Sequence, residues 1–123
     1  MTLVHQPRPR RESVIFDDVL PKDIPNAELT ENARIVLGKR YLKKDRAGEP
    51  TEEPEVMFWR VARTIAAVDG DYGASEQAVD EIARHFYDLM INGKFEPNSP
   101  TLMNAGRPLG QLSACFVLPV DDA

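Results

Sequence analysis

Only one cysteine, Cys115, occurs in the chain, so no internal disulfide can form, and a reducing cytoplasm is the compartment that suits it. No apolar run approaches the roughly 20 residues that span a bilayer. The opening MTLVHQPRPRRE also lacks the apolar core of a secretory signal. The expectation is a cytoplasmic protein with no membrane partner. A basic excess is missing too: 15 Lys and Arg against 20 Asp and Glu leave a net charge of −5, which argues against a general nucleic-acid binder. Arg8, Arg10 and Arg11 do cluster, but at a chain end, where such a run reads as a solvated terminus. Histidine is scarce, with His5 near the terminus and His85 alone on a helical stretch. A metal site needs three or four convergent donors, so none is expected. No P-loop, dinucleotide-binding glycine pattern, EF-hand or internal repeat occurs.

What the chain does hold is helical periodicity followed by an abrupt change. Its 123 residues suffice for one domain with a modest core. Residues 1–28 read as an arm, broken by Pro7, Pro9, Pro21 and Pro25, in which Val14, Ile15 and Phe16 could dock as an extended piece. Thr30 is placed to cap a first helix, with Ala33, Val36, Leu37, Arg40 and Tyr41 on one face and an end in the polar run Lys43 to Gly48. A second helix starts near Pro54, behind Glu52 and Glu53, and carries Phe58, Val61, Ala62, Ile65 and Ala66 as its buried stripe. Met57, Trp59 and Val68 widen that stripe, and Gly70 is its expected stop. The Met57, Phe58 and Trp59 run reads as core rather than as a cofactor box. Ser75 caps a third helix with Val79, Ile82, Ala83, Phe86 and Met90 on one face, ended by Asn92-Gly93. Asp69, Asp71 and Asp80 fit a helix end and a solvated face.

After Gly93 the prolines and glycines exclude regular helix across most of Phe95 to Gly110. From Gln111 the pattern alternates, with Leu112, Ala114, Phe116 and Leu118 on one face and Gln111, Ser113, Cys115 and Val117 on the other. That predicts a strand ending at Pro119, with no partner strand in the chain. Two readings of Cys115 stand side by side. Free cysteine commonly behaves as a small buried hydrophobe, yet its polar face beneath a Gly- and Pro-rich loop also suits a site lining.

The segment FEPNSPTLMNAGRPLGQLSACFVLPVDD resembles the start of the catalytic barrel of adenosylcobalamin-dependent (class II) ribonucleotide reductases. The upstream LTENARIVLGKRYLKKDRAGEPTEEPEVMFWRVARTIA resembles their N-terminal helical region, and the resemblance runs from Val14 to the last residue. It implies a mainly α N-terminal helical region followed by the first strand of a ten-stranded α/β barrel, truncated there. The divisions are an arm over 1–28, a helical domain over 29–94 and the start of the barrel over 95–123. The implied activity is reduction of ribonucleotides to 2′-deoxyribonucleotides for DNA synthesis, with diphosphates the preferred reading and triphosphates the open alternative. The cofactor is adenosylcobalamin, bound mainly by parts of the enzyme outside this chain.

The resemblance further implies that Cys115 is one of two reducing cysteines. A thiyl radical on another cysteine removes hydrogen from C3′ of the ribose; the pair then supplies two electrons as the 2′-hydroxyl leaves as water, and closes to a disulfide. The partner thiol is expected beyond residue 123. Ser99 matches the hydroxyl residue that contacts substrate phosphate, and Ala114 lies where the backbone passes against the nucleotide. Asn98, Asn104 and Gly106 match positions that shape the loop. The implied partners are the ribonucleotide, the remainder of the reductase chain, an external dithiol such as thioredoxin, and a second copy in a homodimer. The thiyl-forming cysteine, the second reducing cysteine and the tail thiols are all missing here, so this stretch alone is not expected to be active. Two other readings differ in class: a free-standing, non-catalytic module that docks on a complete reductase or partner subunit, and a remnant prone to aggregate through its open strand edge.

Overall fold

The computed structural model describes residues 20–121 and is helical. Four α-helices follow in order, α1 (Glu31–Arg40), α2 (Pro54–Ala66), α3 (Glu76–Ile91) and α4 (Ser99–Asn104), with a 3₁₀ turn over Ala67–Tyr72 between α2 and α3. No helix among the described residues is long and apolar enough to cross a membrane.

The core lies between α2 and α3. α2 begins with Pro54 in its first turn, where the missing N–H costs nothing. It buries Met57, Phe58, Trp59, Val61, Ala62 and Ala66 against Val79, Ala83, Tyr87 and Met90 of α3. Each large apolar side chain removed from water in this way stabilises the fold by about 1.5–3 kcal/mol. Trp59 and Tyr87 meet edge to face, with ring centroids 6.2 Å apart and planes at 72°. The Tyr87 hydroxyl donates to Pro25 O at 2.6 Å, which lays the stretch before α1 along α3. Burial, helped by the negative charge of Glu55, pushes that phenol up to about 12, so it stays a donor. Tyr87 belongs to the core although the periodicity left it out. Ile65 and Val68 were expected inside and are 37% and 44% exposed. α2 turns into a 3₁₀ helix after Ala66, which swings Val68 outward. The stop is Gly73, at φ 98°, rather than Gly70.

α1 is capped as expected, Thr30 Oγ1 accepting from Ala33 N at 3.1 Å. It buries no residue, however, and Val36 is about half exposed. Leu37 and Tyr41 lean on the core, but the helix is also fastened by charge. The Arg34 guanidinium donates to Glu55 Oε1 at 3.0 Å and to Ala27 O at 3.1 Å, while Ala27 N donates to the same carboxylate oxygen at 3.3 Å. Burial works against the charge on Glu55. The Arg34 guanidinium and the backbone amides outweigh it and hold the carboxyl below the usual range.

Two expectations for the C-terminal third are corrected. Prolines and glycines were read as excluding helix over most of Phe95 to Gly110, yet Ser99–Asn104 is helical. Asn98 caps it through Thr101 N at 3.0 Å, and Pro100 falls in the first turn, where proline is tolerated. The strand read at Gln111 to Pro119 does not form: no strand occurs among the described residues, whose one bridge joins Lys44 and Pro50. A strand exists only as a ladder with a neighbour, and here the segment meets no edge. From Ser113 on its side chains lie open, Val117 being 99% exposed.

Gly106 closes the loop after α4 at φ +76°, and a Cβ there would meet Thr64 Oγ1 at 2.7 Å and Arg60 Cγ at 3.0 Å. Gly48 has a similar φ of +83° with nothing within 4 Å. Gly48→Ala should therefore cost about 1–2 kcal/mol from the left-handed backbone alone. Gly106→Ala adds overpacking and should cost about 2–4 kcal/mol. Denaturant melts of the two variants check this, and equal costs would contradict it. Glu55 gives a second expectation. Its folded carboxyl is held below the ordinary 4.5, so its stabilisation is complete above that pH and is lost as pH falls through the folded value. Glu55→Gln should cost about 1–2 kcal/mol at pH 7, the low end of charged hydrogen bonds because the Arg34 side chain is 41% exposed. Below about pH 4.5 its stability should decline less steeply than that of the unaltered chain; parallel acid limbs would rule this out.

Candidate functional site

The residues of interest lie on α4 and the segment after it, and a buried ion pair holds that unit on α2. Arg60, whose side chain is 2% exposed, donates from Nη2 to Glu52 Oε1 at 2.8 Å and from Nε to Oε2 at 3.3 Å. Its remaining donors reach Ala105 O at 2.6 Å and Leu102 O at 3.1 Å. Those two carbonyls belong to the end of α4, where helix carbonyls lack intrahelical partners. Glu52 Oε1 also accepts from Lys43 N at 3.0 Å. One guanidinium thus joins α2, α4 and the α1–α2 connection. Leaving either charge alone in this setting would be costly; together they are satisfied.

From this anchor the segment is threaded by side chains. Thr101 Oγ1 donates to Leu112 O at 3.0 Å and lies 2.8 Å from Asn98 Oδ1. Asn104 Nδ2 donates to Gln111 O at 2.9 Å. Asn98, Asn104 and Gly106, expected to shape the loop, do so by capping, by tethering and by close approach. Beyond Leu112, which packs on the core, the chain leaves the body.

Ser99 is the first residue of α4, is exposed, and its Oγ lies 3.0 Å from the Tyr41 hydroxyl. Ala114 and Cys115 are exposed as well, and Cys115 N donates to Ser113 Oγ at 3.1 Å. No hydrogen bond joins Ser99 to Cys115. The thiol therefore takes neither a buried hydrophobic place nor a completed site in these residues. Arg60 and Thr101 were missed by the sequence reading, which gave Tyr41 only a helix face and Glu52 only a place ahead of the second helix. An arginine inside the apolar run MFWRVA was the available signal, since a charge on a buried stripe needs a partner.

Among the described residues no group of three or more His, Cys, Asp or Glu is arranged to hold a metal ion, and His85 is exposed. An apolar cleft of ≈270 Å³ runs between α2, α3 and the segment before α4, with Thr101 as its one hydroxyl-bearing residue. A corrin with its adenosyl and nucleotide arms is far larger than that cleft and needs many polar partners. These residues do not fit cobalamin.

The family described as ribonucleotide reductase, all-alpha domain, matches residues 27–110. A vitamin B12-dependent ribonucleoside-diphosphate reductase of Mycobacterium tuberculosis is 43% identical over 98 residues, 78% of this chain and 14% of that protein. One of the same description from Thermoplasma acidophilum is 33% identical over 169 residues, covering 94% of this chain and 22% of the relative. A ribonucleoside-diphosphate reductase subunit alpha of Helicobacter pylori is 38% identical over 81 residues, 66% of this chain and 9% of its own length. No solved structure matches. The chain therefore spans less than a quarter of each of these relatives. With more than half its length inside the family's match, and with a helical structure over the matched residues, this chain belongs to the ribonucleotide reductase all-alpha domain family.

Proposed function

We propose that this chain forms the helical N-terminal part and one wall of the active site of a vitamin B12-dependent ribonucleoside-diphosphate reductase. The observation that carries this reading is the open segment Ser113-Ala114-Cys115. It leaves a clamped loop with no backbone–backbone hydrogen bond among the described residues and its thiol exposed, in a chain similar to reductases so named. In the complete enzyme this segment becomes the first strand of the barrel, pairing with later parts of the chain, and the cobalamin is held mainly by those parts. The substrate is a ribonucleoside diphosphate, Ser99 contacts its phosphate, and Ala114 permits close approach of the nucleotide.

Cys115 is one of two reducing thiols. The C2′–O bond breaks and the hydroxyl leaves with one thiol proton as water; the other thiol proton and the two electrons from the thiols end in the new C2′–H bond, and the two sulfurs close an S–S bond. An external dithiol such as thioredoxin reopens it by exchange, becoming oxidised in turn. The residues described here supply a hydroxyl, a backbone wall and one thiol, so they do not complete a turnover alone. No observation favours a free-standing docking module over this reading.

Cys115→Ser in the full-length reductase should abolish multiple turnover with a dithiol reductant and leave the melting temperature within about 1 °C, because serine is close to isosteric with cysteine and the face it shares with Gln111 and Ser113 is polar. Deoxynucleotide formed per enzyme, followed over time, is the readout. Undiminished turnover would sink the assigned role.

A further inference from the structure

We infer that Tyr41 is a positioning residue for Ser99: its hydroxyl, 3.0 Å from Ser99 Oγ, donates to that oxygen and so leaves the serine proton free for a phosphate oxygen of the substrate. The inference rests on the proposed contact between Ser99 and phosphate. The two hydroxyls are 58 residues apart in sequence, and neither has another hydrogen-bond partner among the described residues.

Geometry alone allows the hydrogen bond to run either way, and chemistry decides it. A phosphate oxygen only accepts, and a serine hydroxyl has one proton to give. If that proton were spent on Tyr41, Ser99 would offer phosphate nothing but lone pairs. A phenol is also a stronger hydrogen-bond donor than an aliphatic alcohol. With phosphate present the order is therefore Tyr41 to Ser99 to phosphate. Each bond in such a chain polarises the next and strengthens it.

The two ends are held by different elements. Tyr41 closes α1, its N–H donating to Leu37 O at 2.9 Å, and its ring leans on the core. Ser99 opens α4, which Arg60 fixes from the far end. Its χ1 rotamer would otherwise be free at an exposed position. Lys39 and Arg40, both exposed, immediately precede Tyr41 in the chain and place positive charge on the element that reaches Ser99.

The test compares four full-length reductases: unaltered, Tyr41→Phe, Ser99→Ala and the double variant. Each is measured for KM and kcat with a ribonucleoside diphosphate and for its melting temperature. The expected result is that Ser99→Ala raises KM, and that Tyr41→Phe raises it about three- to tenfold, the worth of one hydrogen bond. The phenylalanine variant should keep its kcat and melting temperature, and the double variant should be no worse than Ser99→Ala. An unchanged KM in Ser99→Ala overturns the phosphate contact itself. A raised KM in Ser99→Ala with none in Tyr41→Phe overturns the positioning role alone. Tyr41→Phe effects that add in full to those of Ser99→Ala, or that come with a lowered melting temperature, make the tyrosine a structural prop and also overturn it.

Discussion

Arg60 is the side chain on which the arrangement of this region depends. A guanidinium 2% exposed would be prohibitive in a helical core without partners. It is tolerable because a buried carboxylate and two helix-end carbonyls satisfy its donors together. Those partners need what an arginine has to give: Leu102 and Ala105 carbonyls at the end of α4 have no intrahelical donor, and Glu52 would be an isolated buried charge. A hydrophobic residue at position 60 could fill the volume, but it would orphan all three. The position of the loop that carries Ser99 and leads to Cys115 is therefore set from inside α2.

This division of labour explains why the helices were legible and the site was not. Caps are local, so Thr30, Ser75 and Asn92-Gly93 announced helix ends that the structure keeps. The α2 and α3 stripes were also readable, because burial follows the 3.6-residue period. The failures arise where tertiary contacts override the period. α1 has an apolar face on paper and yet buries nothing, since Arg34 and Glu55 do part of the holding. α4 forms against its prolines because Asn98 caps it and Arg60 receives its end. Pairs such as Arg60 with Ala105, 45 residues apart, leave no trace in spacing.

The segment from Gln111 onward shows the opposite case. Its alternation is a sound strand pattern, and the residues form no strand because a ladder needs a second edge. Exposed Phe116, Val117, Leu118 and Val120 are what such a strand looks like before it is paired. Under the proposed function the pairing comes from the remainder of a reductase, of which relatives carry more than three quarters beyond this stretch. The helical part then serves as a rigid base. Thr101 and Asn104 hold the first residues of the segment, and the thiol stands a few residues further out.

Hydrogen exchange tests the role of Arg60 most directly. The comparison is between the unaltered chain and the Glu52→Gln/Arg60→Met double variant, which leaves no unpaired charge buried. Loss of the clamp should free the amides of Leu102, Ala105 and Arg107, which bond within α4 and its turn, while the amides of α3 keep their protection. Protection of α4 that survives the double substitution would contradict the account, because the loop would then be held by something other than the buried pair.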